Sequence, residues 1–202
     1  MRVVAVVLLI PLAYLLGSFP SAAIVTGAAG RDVTKEGSGN PGASNTYRLL
    51  GWKAGLLVLA LDMGKGALAA GAGIALEGHR GAWILGVAAV LGHVFPVTRH
   101  FRGGRGVATA GGVVAALFPV ICAGAALVWF FIARVLHKAS VASIVVAIAF
   151  PIAVAAVGWG PLDIAVTSAL GLLVITRHLG NVRRLVRGEE PDVTGALGEG
   201  DG

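Results

Sequence analysis

The chain has 202 residues, 56% of them hydrophobic and 13% charged, with a formal net charge of +6 and a mean hydropathy of +0.86. These values exclude an ordinary water-soluble globular domain and place the chain in lipid. Cys122 is the one cysteine and lies in an apolar run, so neither an internal disulfide nor a cysteine-based metal site is available, and redox chemistry is not expected.

In chain order, Met1 to Leu16 combines a basic residue with an apolar stretch, as a secretory signal does. No small-residue cleavage site leads from it into a soluble portion and the next segment is also apolar, so it is expected to persist as the first helix. Seven apolar segments follow one another: Val3 to Thr26, Trp52 to Leu76, Ala82 to Thr98, Val107 to Phe118, Val120 to Leu136, Val141 to Val157 and Leu162 to Thr176. Their composition predicts an all-α polytopic membrane protein. A helix needs about 20 residues to cross ~30 Å of hydrocarbon, so Val107 to Phe118, about 18 Å long, needs shelter from its neighbours. Pro119 removes a helix N–H and clashes with the turn before it, which predicts a break there.

Basic residues gather in four clusters: Arg31, Lys35, Arg48 and Lys53; Arg99, Arg102 and Arg105; Arg134 and Lys138; and Arg177, Arg183, Arg184 and Arg187. Seven transmembrane helices with the N-terminus outside put all four clusters, and the C-terminus, in the cytoplasm, as the positive-inside rule requires. Residues 1–192 are expected to form one membrane domain without a soluble appendage, and the glycine-rich, acidic tail 193–202 to be disordered. No repeat of fixed period is visible, which weighs against the inverted repeats of many secondary transporters.

Three loops carry the polar chemistry. In Gly37 to Arg48, GSGNPGASNTYR, glycines 37, 39 and 42 permit tight turns and can present N–H groups to an anion, while Ser38, Asn40, Ser44 and Asn45 add short polar side chains. A polar turn is the plainer reading, and the neighbouring Arg31, Lys35 and Arg48 favour the anion. In Gly92 to Thr109, GHVFPVTRHFRGGRGVAT, Arg102 and Arg105 bracket Gly103 and Gly104, and a helix starting near Val107 points its positive end at whatever those glycines hold. Arg99 and His100 fit headgroup anchoring equally well. The loop is not a nucleotide P-loop, since the Gly-Lys-Ser/Thr ending is missing. In Arg177 to Arg187, RHLGNVRRLVR, His178 and Asn181 would share a face if the helix continues, whereas Arg183, Arg184 and Arg187 fit headgroup contact.

Asp62 and Lys65 stand three apart inside the second apolar segment, where they can pair and where ionisable groups are expensive. A self-neutralising structural pair and a direct substrate role are both open. Asp163 and Glu77 are expected near the outer surface with no special task.

GSFPSAAIV at Gly17, GSGNPGASN at Gly37, LDMGKG at Leu61, GHVFPVTRHFRGGRGVAT at Gly92 and RHLGNVRRLVRGEEP at Arg177, in that order, resemble the bacterial membrane-bound glycerol-3-phosphate acyltransferases that use acyl phosphate as donor. The resemblance runs end to end. It implies acylation of the 1-hydroxyl of sn-glycerol 3-phosphate, giving lysophosphatidic acid and phosphate, in the inner (plasma) membrane with the site facing the cytoplasm. It implies no metal or organic cofactor. The implied partners are the two substrates, the bilayer and the enzyme that supplies acyl phosphate, with no nucleic acid.

By the same resemblance Ser38, Arg48, Arg105, His178 and Asn181 take the catalytic and polar substrate-binding positions. Gly37, Gly39, Asn40, Gly42, Asn45, His93, Arg102, Gly103, Gly104, Gly106 and Thr109 fall in the motifs that surround the substrates. Arg stands at 102 and 105 where the family usually has Lys, and Ser44 replaces a usual Thr. Arg keeps the charge and offers a fork of donors suited to phosphate, but not lysine's geometry or its readiness to deprotonate.

Acyl phosphate is a mixed anhydride with a good leaving group, so direct transfer needs no protein nucleophile. His178, His93 or the donor's own phosphate could take the acceptor's proton. The competing expectation is a transporter of a small organic phosphate, which would gather its binding residues near the bilayer midplane instead of at one surface.

Overall fold

The computed structural model describes residues 2–193, and they are helical throughout, joined by turns and loops. The helices are α1 (Arg2–Gly17), α2 (Ser21–Gly27), α3 (Ala43–Leu50), α4 (Trp52–Val94), α5 (Val107–Leu117), α6 (Pro119–Leu136), α7 (Ala139–Ala156), α8 (Pro161–Arg177) and α9 (Leu179–Val186). Backbone contacts divide the chain into two compact units, the first ending at Phe118 and the second beginning at Pro119.

The first unit is built around α4, against which α1, α3 and α5 pack. Helical geometry is lost inside α4 at Glu77 and Gly78, where Gly78 has φ +63°. The chain reverses there: a Cβ on Gly73 would lie 2.2 Å from the Gly81 carbonyl oxygen, although eight residues of straight helix span about 12 Å. Ala69 accordingly shares a buried cluster with Leu85, Ala88 and Ala89, together with Val6 and Ala13 of α1. The two arms, 52–76 and 79–94, correspond to two of the apolar segments expected from sequence.

Glycine lets these helices approach backbone to backbone, as helices in lipid do where apolar side chains supply no drive to associate. A Cβ on Gly112 would sit 1.9 Å from the Met63 carbonyl oxygen, and one on Gly17 2.0 Å from that of Ala89. Such crossings leave no room for even a methyl group.

Two breaks follow from proline. The first apolar segment, expected as one helix, is interrupted at Ser18–Pro20, and α2 begins at Ser21 behind Pro20. At the other site α5 ends as expected. Phe118, the residue before Pro119, is held at φ −135°, ψ 62°, outside the helical region that a following proline disfavours.

In the second unit α7 packs on both α6 and α8. Trp129 on α6 donates to the Ser143 hydroxyl on α7 at 3.0 Å. α8 opens with Pro161 in its first turn and bends by 50° into α9 at His178. Asp163, in that first turn, is buried at the positive end of α8.

Among the described residues four stretches are long and apolar enough to cross a membrane, Arg2–Gly27, Trp52–Arg99, Pro119–Leu136 and Ala139–Ala156, and the bent α8–α9 pair would be a fifth. Their outward faces carry large apolar side chains, among them Leu8, Leu127, Phe130, Phe131 and Val120, the last 84% exposed. That is the reverse of a soluble fold and suits helices solvated by lipid. Of the tail expected to be disordered, Val193 donates its N–H to the His137 carbonyl at 2.7 Å, and residues 194–202 lie outside the described residues.

Candidate active site

The polar loop before α3 is tied by Asn45. This buried side chain donates to the carbonyls of Val33 and Glu36, each at 3.0 Å, and accepts the Ser38 N–H at 2.9 Å. The N–H groups of Gly39 and Gly42 bond to the Glu36 and Asn40 carbonyls. The expected backbone cradle is therefore corrected. The N–H groups of Ser38, Gly39 and Gly42 close the loop on itself and do not point at an anion, and Asn45 is its internal clasp. Gly37 and Gly39 turn at φ +59° and +68°. Upstream, the Asp32 N–H and then Arg31 hold the exposed Glu36 carboxyl below the usual glutamate range, with Arg31 Nε 2.5 Å from it. What this loop offers outward is side chains: Asn40 is half-buried, Ser38 has a buried hydroxyl with no hydrogen-bond partner among the described residues, and Arg48 is buried in the last turn of α3.

The second loop is shaped by the end of α4. A helix leaves its last carbonyls without intrahelical donors, and here each receives one from elsewhere. Ser18 donates to Gly92 at 3.2 Å, Gly104 N–H to His93 at 3.1 Å, Gly103 N–H to Val94 at 3.2 Å, and the Tyr14 hydroxyl to Phe95 at 2.5 Å. The glycine pair is thus needed for close approach: a Cβ on Gly103 would stand 2.0 Å from the His93 carbonyl oxygen, and one on Gly104 2.2 Å from His93 Nε2. The N–H groups of both glycines therefore cap the end of α4. Gly106, at φ +86°, begins α5, and Arg102 is exposed while Arg105 is half-buried. Thr109 is fully enclosed, its carbonyl oxygen lying where a Cβ on Gly66 would come within 2.1 Å. It belongs to the seam between α4 and α5.

Beneath this loop lies a buried polar cluster. Lys65 Nζ is 2.9 Å from Asp62 Oδ1 and donates to the Phe19 carbonyl at 3.2 Å, and His93 Nδ1 is 3.7 Å from the same Asp62 oxygen. The i, i+3 pairing expected from sequence is present, and His93 joins it as a third member. All three line a pocket with Ser18, Ser21, Pro41, Arg99, Gly103 and Gly104, so elements of both glycine loops border one space.

The second unit presents the third motif. His178 is the joint between α8 and α9 and is buried, with Nδ1 2.7 Å from the Val174 carbonyl. A carbonyl only accepts, so Nδ1 carries the proton and Nε2 is the basic nitrogen of the neutral ring. The helix does not continue through His178, so the condition under which His178 and Asn181 would share a face is not met. Asn181, also buried, donates to Glu190 Oε1 at 2.6 Å, and Arg184 Nε meets Glu190 Oε2 at 2.9 Å. Burial opposes ionisation of Glu190. Hydrogen bonds from Asn181 and Arg184, with the charge of Arg184, outweigh it and hold the carboxyl below the usual glutamate range. Arg184 is therefore committed to an internal carboxylate instead of a lipid headgroup. Lys138 donates to the Glu190 backbone carbonyl and pairs with Asp192 at 2.7 Å, fastening the segment after α9 to the α6–α7 turn.

Sequence reasoning missed Glu190, Ser21 and Tyr14. For Glu190 the available signal was an acid closing a strongly basic motif. Tyr14 acts through a hydrogen bond to the Phe95 carbonyl 81 residues away and leaves no local trace, while Ser21, within GSFPSAAIV, is brought to the pocket only by the fold. Among the described residues no group of three or more metal-ligating side chains is gathered.

A family model described as glycerol-3-phosphate acyltransferase matches residues 7–188. Curated relatives of that name include one from Bacillus cytotoxicus, 41% identical over 185 residues, which is 91% of this chain and 93% of the relative. Another, from Jannaschia sp., is 41% identical over 183 residues and 90% of each chain. Two crystal structures of PlsY, an integral membrane glycerol 3-phosphate acyltransferase, superpose with TM-scores of 0.89 for the glycerol 3-phosphate form and 0.86 for the lysophosphatidic acid form. Each is 37% identical and aligned over 93% of this chain and 95% of PlsY. With sequence and fold matched over nearly its whole length, the chain belongs to the glycerol-3-phosphate acyltransferase family.

Proposed function

We propose that this protein transfers an acyl group from acyl phosphate to the 1-hydroxyl of sn-glycerol 3-phosphate, releasing lysophosphatidic acid and inorganic phosphate as the first step of phospholipid synthesis. The observation that carries the reading is its close match to PlsY structures that hold the acceptor and the product. The donor is taken from the family resemblance and suits the chemistry, since a mixed anhydride already contains its leaving group and direct transfer then needs no protein nucleophile.

In this reading the acceptor hydroxyl oxygen attacks the acyl carbonyl carbon, the new ester C–O bond forms, and the bond to the phosphate oxygen breaks with its electron pair leaving on phosphate. The hydroxyl proton passes to His178 Nε2, to His93 or to the departing phosphate. Arg48, Arg105 and Ser38 hold phosphate oxygens, and Asn181, clasped by Glu190, orients the acceptor. Positioning and offset of the developing negative charge supply the rate enhancement. We place seven crossings in the membrane, the N-terminus outside, and the three motifs on the cytoplasmic side of the inner membrane, supported by the four basic clusters and by the reversal at Glu77–Gly78.

The test is to mix purified protein with acyl phosphate and labelled glycerol 3-phosphate and quantify both products. One lysophosphatidic acid per phosphate, with sequential initial-rate kinetics, is expected; a trappable acyl-enzyme and ping-pong kinetics would defeat direct transfer. Arg48→Ala and Asn181→Ala should abolish turnover in folded protein, and normal rates in both would show the site is elsewhere. Labelling of single cysteines placed in the 37–45 and 177–181 segments should come from the same side of the membrane, and labelling from opposite sides would sink the topology.

A further inference from the structure

One face of α9 is used neither by the clasp on Glu190 nor by the third motif. Leu179, Val182 and Val186 stand three and four residues apart and so form one stripe along the helix, on the side away from the buried Asn181. All three are exposed, Val186 to 84%. Arg183 and Arg187, each one residue beyond a valine of the stripe, run beside it and are exposed as well.

α6 brings a third arginine to the same end of this unit. Its last turn carries the exposed Arg134, and Lys138 just beyond ties the α6–α7 turn to the segment after α9 through the Glu190 carbonyl and Asp192. The pairs Arg184–Glu190 and Lys138–Asp192 cancel internally. Among the described residues the side chains of Arg134, Arg183 and Arg187 enter no ion pair, and these three charges against the exposed Glu189 leave an excess of two positive charges. Arg177, half-buried and already engaged, stands outside this count.

An apolar stripe flanked by arginines fits the boundary between acyl chains and headgroups, where the stripe meets hydrocarbon and the guanidinium groups meet phosphate. Eight residues bury too little surface to hold a bilayer unaided. α9, however, follows the apolar α8 directly across a 50° bend, so its own chain delivers it to that boundary. The bilayer is thus the occupant that the fold itself supplies, and the excess of positive charge selects its anionic lipids.

We propose that α9 is an interfacial anchor: its Leu179, Val182 and Val186 stripe seats in the membrane, while Arg183 and Arg187, with Arg134, gather anionic phospholipid headgroups from the surrounding leaflet. Lipid then holds the outward face of α9 as Glu190 holds the inward one, and Asn181 of the third motif is gripped from both sides. The anchor is the same whichever acyl donor the enzyme uses.

Val186→Cys, labelled with an environment-sensitive fluorophore in a Cys122→Ala background and reconstituted into phosphatidylcholine nanodiscs, tests the assignment. The discs carry a minor fraction of lipid brominated near the headgroup, supplied either as phosphatidylglycerol or as phosphatidylcholine at equal mole fraction. Brominated phosphatidylglycerol should quench the dye about two- to fivefold more strongly, the preference expected of a few arginines at a membrane surface, and high salt should shrink that preference. Arg134→Gln, Arg183→Gln and Arg187→Gln combined should bring the two lipids level without abolishing quenching, each single replacement should remove part of the preference, and Lys at the three positions should restore it. Equal quenching by the two lipids before any arginine is replaced overturns the anionic site, as does a preference that survives all three replacements. A dye that neither lipid quenches shows the stripe covered by protein or facing water, and overturns the anchor altogether.

Discussion

Glu190→Gln isolates what an internal carboxylate contributes to the third motif. In the native protein one oxygen accepts from Asn181 at 2.6 Å and the other from Arg184 at 2.9 Å, with the Glu190 side chain 3% exposed and that of Arg184 32%. Glutamine can still accept from Asn181, but the bond loses its charge, a loss of about 1 kcal/mol. On the other side its amide nitrogen meets the Arg184 Nε donor. The partly solvated ion pair disappears, at about 0.2–1 kcal/mol, and two buried donors face each other. Together these predict about 2 kcal/mol of destabilisation, or an unfolding midpoint roughly 4–8 °C lower for a chain of this size. Far-UV circular dichroism in detergent reads the midpoint. Arg184→Ala, which leaves the Asn181–Glu190 bond intact, should cost less than half as much. If Glu190→Gln melts with wild type, or Arg184→Ala is the more damaging change, the carboxylate is not the clasp described above.

The same group predicts a pH dependence. Because the folded-state pKa of Glu190 is lowered, its contribution is complete above the ordinary value of 4.5 and is lost as pH falls through the lower folded value. The gap in melting temperature between wild type and Glu190→Gln should therefore narrow on acidification, and a gap that widens would refute the sign. Asn45→Ala removes three hydrogen bonds from the loop before α3, a loss of about 1–3 kcal/mol, and should speed proteolytic cleavage between residues 31 and 42; unchanged cleavage would mean the loop is held by something else. Gly112→Ala drives a methyl group into the Met63 carbonyl and should cost about 1–3 kcal/mol or more by forcing α4 and α5 apart. Gly64→Ala, on α4 with open space around it, should be neutral or stabilising by up to about 1 kcal/mol, and similar losses in both would refute the packing argument.

What sequence made legible was local. Proline at 119 and the polar Glu77-Gly78 interruption mark real breaks, because each acts on its own backbone or on the adjacent turn. The Asp62–Lys65 pairing was readable for the same reason, as helical spacing brings those side chains together. The interruption at Ser18–Pro20 escaped because apolarity runs straight through it, and Ser18 is held partly by a carbonyl 74 residues away. The glycine pair at 103–104 was noticed, but its capping role was not legible, because its N–H groups meet the carbonyls of His93 and Val94 only once the fold exists. Glu190 was missed because only the return of the chain past α9 buries it against Asn181.

The end of α4 has one more implication. Four successive carbonyls, from Gly92 to Phe95, are answered by donors from α1 or its edge and from the loop that carries Arg102 and Arg105. Those basic side chains are therefore mounted on a frame that is finished before any substrate arrives. Little ordering entropy remains to be lost on association, so affinity can be tuned by exchanging one cationic head for another without remaking the scaffold beneath it.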